Sequence, residues 1–130
     1  MAVAKVLIDS DVLLYLLSND TKKANGVISV QVLNEIANVA LRKIGMSWAE
    51  TNQFLALIRS LCVIESLTVE THDRGRDVAE RYGLSVYDSM IVAAALLAGC
   101  TVLYSEDMQH GLVVDKQLRV ANPLKAALHQ

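Results

Sequence analysis

The stretch AKVLIDSDVLLYLLS, Ala4 to Ser18, decides the fold. Val6, Leu7 and Ile8 form a short apolar, partly β-branched run that reads as a buried strand. It ends abruptly at Asp9-Ser10-Asp11. A second apolar run, Val12 to Leu17, follows at once and reads as a helix. Asp9 or Ser10 can cap that helix by accepting from its first free N–H groups. The junction places Asp9 at the carboxyl end of a strand, the edge of an open parallel sheet where ligands bind.

Working outward, the same alternation recurs. Val27-Ile28-Ser29 reads as a second strand. Val30 to Lys43 reads as a helix, with Val32, Leu33, Ile36, Val39 and Ala40 at helical spacing and Arg42 and Lys43 in its last turn. Ser47-Trp48-Ala49-Glu50 is a capping box. It opens a helix whose expected apolar stripe is Phe54, Leu57, Ile58 and Leu61. Cys62 to Ile64 is a third strand. Thr68 caps a helix to Tyr82, stopped by Gly83, with Arg74, Arg76 and Arg81 on a solvated face. Ser85 to Ala98 is a nearly all-apolar helix stopped by Gly99. Thr101 to Tyr104 is a fourth strand, Ser105 to Gly111 a polar loop, and Leu118 to Val120 a short fifth strand at the sheet edge. Pro123 can open a last helix. The whole predicts one α/β domain over residues 1–130, a mainly parallel sheet of four to five strands flanked by helices.

Composition narrows the class. Of the 130 residues, 53% are apolar, enough for a sheet covered on both faces and compatible with an apolar subunit interface. No run reaches the ~18 apolar residues of a membrane helix, and Met1 to Val6 lacks the shape of a signal peptide, so a cytoplasmic protein is expected. Cys62 and Cys100 form no CxxC pair and read as buried, reduced thiols. The net charge of −2 argues against nucleic-acid binding by bulk positive charge, though not against contact through a small patch and a metal.

Topology brings four acids to one rim. Asp9 follows strand one. Glu35 lies in the second turn of the helix after strand two. Asp88 lies in the first turn of the helix leading into strand four, and Asp107 follows that strand. Taken singly, each has a plainer reading: Asp9 and Asp88 as helix-end acids, Glu35 as a surface residue, Asp107 as a turn former. Together, four ionised carboxylates repel unless a cation offsets them. All-oxygen ligation selects Mg²⁺ or Mn²⁺, and that chemistry suits phosphodiester hydrolysis. His110 reads as a loop residue.

The segments VLIDSDVLLYLL, ISVQVLNEIANVALRK, LSVYDSMIVAAALLAGC and VLYSEDMQHG resemble the PIN-domain family, in particular VapC-like toxins of bacterial toxin–antitoxin pairs. The resemblance spans nearly the whole chain. It implies a Mg²⁺- or Mn²⁺-dependent ribonuclease acting on RNA, commonly a homodimer, held inactive by a protein antitoxin. The family's four acids fall on Asp9, Glu35, Asp88 and Asp107, its Ser/Thr on Ser105, and its Asn-Pro on Asn122-Pro123. On this basis Asp9, Asp88 and Asp107 are expected to bind one or two ions, and Glu35 to orient or deprotonate the attacking water. Lys22, Lys23, Arg42 and Lys43 are candidates for gripping RNA.

Two departures stand out. Asp11 occupies a position where the family has Asn, a fifth carboxylate that bears on the metal count. Between Asn19 and Gly26, where the family carries most of a second helix, only Asp20-Thr21-Lys22-Lys23-Ala24 stands. Either the helix is lost or residues are missing from the chain there, and the second is the expectation. Rival readings are a PIN fold that binds RNA or a partner without catalysis, a haloacid-dehalogenase-type phosphatase built on Asp9-Ser10-Asp11, and a receiver domain. The second has Leu13 where that family wants Thr or Val. Both of the last two need a lysine that the sequence does not supply near the strand ends.

Overall fold

A computed structural model describes residues 5–18 and 26–123. The elements are β1 (Val6–Ile8), α1 (Ser10–Ser18), β2 (Val27–Ser29), α2 (Val30–Val39), α3 (Trp48–Leu61), β3 (Val63–Glu65), α4 (Val69–Tyr82), α5 (Val86–Leu97), β4 (Val102–Tyr104), β5 (Val113–Val114) and β6 (Leu118–Ala121). They build a six-stranded sheet in the order β3-β2-β1-β4-β6-β5, parallel throughout except for β5 against β6. The expected α/β fold is therefore present. The segment after Ser18, with Lys22 and Lys23, lies outside the described residues, as does the chain after Pro123.

Strand residues alternate between two cores, as the period of two in a strand requires. Leu7, Val27, Leu103 and Val120 face one side and pack against α5 through Val92, Ala94 and Ala95. Ile8 and Ile28 face the other and pack against Val12, Leu13 and Leu16 of α1, Val32 and Ile36 of α2, and Ile58 of α3. Both faces are covered, which is why β1, β2 and α5 read as continuous apolar runs. Cys62 and Cys100 are buried in these cores, neither in a disulfide, and burial pushes the Cys100 thiol up to about 11. No described helix is long and apolar enough to cross a membrane.

Helix ends follow the local signals. Ser47 and Glu50 make the reciprocal capping box of α3, Thr68 and Thr71 make that of α4, and Ser85 caps α5. Gly75 lets α4 approach α5 closely: a Cβ there would lie 2.6 Å from Met90 Sδ.

Three details correct the sequence reading. In α3, Leu57 and Leu61 are exposed, whereas Thr51 and Ile58 are buried. This helix meets the rest of the protein along one narrow stripe, and Leu57 and Leu61 fall beside it. β6 is not the edge strand. The chain folds Val113–Val114 back on it through a turn in which Asp115 (φ 53) and Lys116 (φ 57) are both left-handed and Gln117 N–H donates to Val114 O at 3.0 Å. Such turns match the twist of hairpin strands but are usually signalled by Asn-Gly or Asp-Gly. Here Asp115 is held from outside. Arg81 Nη1 and Arg74 Nη2 donate to its carboxylate at 2.7 and 3.2 Å, and its N–H donates to Tyr82 Oη at 2.9 Å. Arg74 and Arg81 thus clamp the hairpin to α4 rather than forming only a solvated face.

Candidate active site

β1 ends where its ladder turns into a helix. Asp9 N–H donates to Tyr104 O of β4, and Asp9 O accepts from Leu13 N–H in α1, both at 2.9 Å. The side chain between these bonds is fixed and only 5% exposed. Its Oδ1 accepts from Ser10 N–H at 2.8 Å and its Oδ2 from Ser105 Oγ at 3.2 Å. Burial raises the Asp9 carboxyl to about 6. The two hydrogen bonds work against that rise, while Glu35 and Asp107 add to it.

Glu35 comes from α2. Its Oε2 accepts from Ser10 Oγ at 2.6 Å and its Oε1 from Gln31 Nε2 at 3.1 Å, so both oxygens are aimed. Asp88 sits in the first turn of α5, its N–H bonded to Ser85 Oγ. Asp107 N–H donates to Ser105 Oγ, which ties it to the serine that holds Asp9. Burial, then the charges of Asp11, Asp88 and Glu35, push the Asp107 carboxyl upward.

Asp9, Asp11, Glu35, Asp88 and Asp107 all line one cleft of about 260 Å³ at the carboxyl edge of the sheet. Oxygens of Asp11, Glu106 and Asp107 also lie within 4.8 Å of one another. The neighbouring Asp11 carboxyl, with burial and the charge of Asp107, raises the Glu106 carboxyl. Asp107 belongs to both groupings. The donor set is entirely oxygen and strongly anionic, which fits a hard divalent cation.

The PIN domain profile matches residues 6–113. The chain belongs to the PIN-domain family. Three solved structures share its fold. A toxin–antitoxin complex from Klebsiella pneumoniae has a chain 20% identical, with a TM-score of 0.66, covering 92% of this chain and 98% of that one. A DNA-bound VapBC from Salmonella typhimurium is 15% identical, with a TM-score of 0.67 and the same coverage. Mycobacterium tuberculosis VapC20, a Sarcin-Ricin loop cleaving toxin, is 17% identical, with a TM-score of 0.62, covering 88% of this chain and 99% of that one. No curated protein matches the chain. Membership in the PIN family sets aside the haloacid-dehalogenase and receiver readings.

In this PIN domain the four acids read from the sequence do meet in one cleft, joined by Asp11. Glu106 was missed, because a second acid beside Asp107 looks like loop polarity. Lys43 is the one cation among the described residues lining the cleft. After α2 the helix continues as a π turn over Ala40–Ile44. Gln31, Glu35, Asn38 and Val39 mark the cleft-facing side, and an ideal α-helix would next present Arg42 there. The wider turn brings Lys43 to that side instead. His110 is a structural loop residue: its Nδ1 accepts from Asn122 N–H at 3.0 Å.

Proposed function

We propose that this PIN domain is a metal-dependent endoribonuclease and the toxin of a toxin–antitoxin pair. The observation that carries the reading is Asp9, a nearly buried carboxylate raised to about 6 at the floor of a cleft holding four more acids and one lysine. Such a site is costly as an empty cluster and favourable around a cation.

Asp9, Asp88 and Asp107 would hold one or two Mg²⁺ or Mn²⁺ ions, with Asp11 beside them. When bound, the cation supplies charge neutralisation for the RNA phosphate and a more acidic water. Glu35 orients and deprotonates the attacking water, its carboxylate held by Ser10 and Gln31. Ser105 steadies Asp9 and Asp107 together. Lys43 meets phosphate at the cleft mouth, where its charge offsets the acids.

The toxin reading rests on the company the fold keeps: the structures described above are toxins or toxin–antitoxin complexes. An antitoxin that covers this rim with a basic side chain would replace the cation's charge and exclude phosphate. A homodimer is part of the same proposal. The test is cleavage of a mixed small-RNA pool by purified protein with Mn²⁺, with EDTA, and with Asp9→Asn. Metal-dependent cuts lost in the variant support the assignment. Folded protein that cuts under no condition would make this a binding module instead.

A further inference from the structure

Beside the acid cleft lies a second groove of about 280 Å³, between α2 and the first turns of α4 and α5. The two cavities adjoin, since Gln31 and Tyr87 line both. Their chemistry is opposite. The cleft carries five acids and a lysine; the groove has neither an acid nor a lysine or arginine among its described lining residues. Its apolar lining is Leu67 and Met90, the residue that Gly75 lets α4 press against. Tyr87 stands at the boundary, 76% exposed, immediately before Asp88. An aromatic ring left this open covers none of the core, so packing does not account for it.

The polar groups of the groove divide into engaged and available. Thr68 and Thr71 hydrogen-bond each other in the cap of α4, and Gln31 Nε2 is given to Glu35. Asn34 and His72 remain at the rim, both exposed. A slot with no acid, lysine or arginine, an aromatic wall, apolar side chains from Leu67 and Met90, and amide and imidazole groups at its edge does not suit a phosphate. It suits a flat, neutral ring with hydrogen-bonding edges, as single-stranded RNA presents when a base is splayed out.

We infer that this groove takes a nucleobase next to the scissile phosphate of the RNA strand in the acid cleft, stacked on Tyr87 with its polar edge toward Asn34 and His72. The inference deepens the ribonuclease reading and rests on it for the identity of the ligand. It makes Tyr87 a binding residue and Asn34 a determinant of which base is accepted.

Two measurements test it. In the first, single-stranded RNA carrying 5-iodouridine at each position in turn is irradiated with Glu35→Gln protein in Mn²⁺, which keeps the ion-holding acids but lacks the group assigned to the attacking water, and the cross-linked peptide is mapped by mass spectrometry. Attachment to Tyr87 from one RNA position is expected; attachment only at other peptides overturns the proposal. This readout needs no cleavage, so a protein that cross-links at Tyr87 yet never cuts would sink the nuclease reading and leave the base site standing. In the second, kcat/KM is measured with Mn²⁺ on RNAs varied at each position around the cut. Tyr87→Ala should lose about 5- to 160-fold, the worth of one base–aromatic stack, and Tyr87→Phe should restore most of it. Asn34→Asp should change the preferred base at one position only. Cleavage and base preference unchanged in Tyr87→Ala would overturn the proposal while the nuclease reading survives. A change in that variant's oligomeric mass, with RNA handling unaltered, would assign the face to contact between copies and overturn it equally.

Discussion

Asp9→Asn should stabilise the metal-free protein while abolishing its chemistry. The carboxyl has an ordinary value of 3.8 and is raised to about 6 in the fold, chiefly by burial. A carboxyl raised on folding favours the native state while it is protonated. That advantage is complete below pH 3.8 and is lost as the pH rises through about 6. The difference between 3.8 and about 6, at 1.36 kcal/mol per pH unit, is about 3 kcal/mol. Asparagine escapes this loss, being neutral throughout. It also keeps the local bonds, since its Oδ1 can accept from Ser10 N–H and its amide can donate to Ser105 Oγ. Urea unfolding in EDTA from pH 4 to pH 8 is the assay. The variant should match the wild type near pH 4 and exceed it by up to about 3 kcal/mol at pH 8, an increase of about 10 °C in Tm for a chain of this size. Mn²⁺ at a thousand times its Kd should reverse the order, because it adds about 4.1 kcal/mol to the wild type, more than that gap. A variant no more stable than the wild type at pH 8, or a gap that does not change between pH 4 and pH 8, would refute the reasoning.

Other perturbations probe the surroundings. Ser105→Ala removes a hydrogen bond that holds the Asp9 carboxyl down, so the acid limb of the RNA-cleavage profile should move to higher pH, with the larger loss of rate near pH 6 than at pH 8.5. Gly75→Ala should cost about 1–2 kcal/mol in urea unfolding by driving a Cβ into Met90, and in a Met90→Ala background the same change should become neutral or stabilising. Asp115→Asn keeps a side chain that tolerates the left-handed turn but removes the charge facing Arg81 and Arg74. It should cost about 1 kcal/mol at neutral pH and less in 1 M salt. The Asp115 carboxyl is lowered, first by the Arg81 hydrogen bond, so its contribution is present above the ordinary carboxylate range and disappears as pH falls through the lowered value.

How far the sequence revealed this protein can be judged residue by residue. Asp9, Glu35, Asp88 and Asp107 were legible because chain topology alone, strand ends and helix starts on one edge, carries them to the same cleft. Caps at Ser47, Thr68 and Ser85 were legible because they are local chemistry. Lys43 could not be told from Arg42, since one π turn changes which of them faces the cleft. β5 escaped notice because two valines before an Asp-Lys turn carry no hairpin signal; the turn is enforced by Arg74, Arg81 and Tyr82 from a distant helix. Leu57 and Leu61 misled because spacing reports that a helix is amphipathic, not how wide a stripe its neighbours cover. The second groove left no trace in the pattern, as Asn34, His72 and Tyr87 come from three helices and meet only in the fold.

The sheet order also sets when the acid rim can be completed. A ribosome makes Asp9 early, yet β1 borders β4, and β4 is flanked on its other side by β6. Ser105, the serine that steadies both Asp9 and Asp107, donates its N–H to Ala121 O in β6. The rim is therefore finished only after residue 121 has left the exit tunnel. Until then Ser105 N–H lacks its β6 partner, and the serine that holds Asp9 and Asp107 is not yet fixed in the sheet.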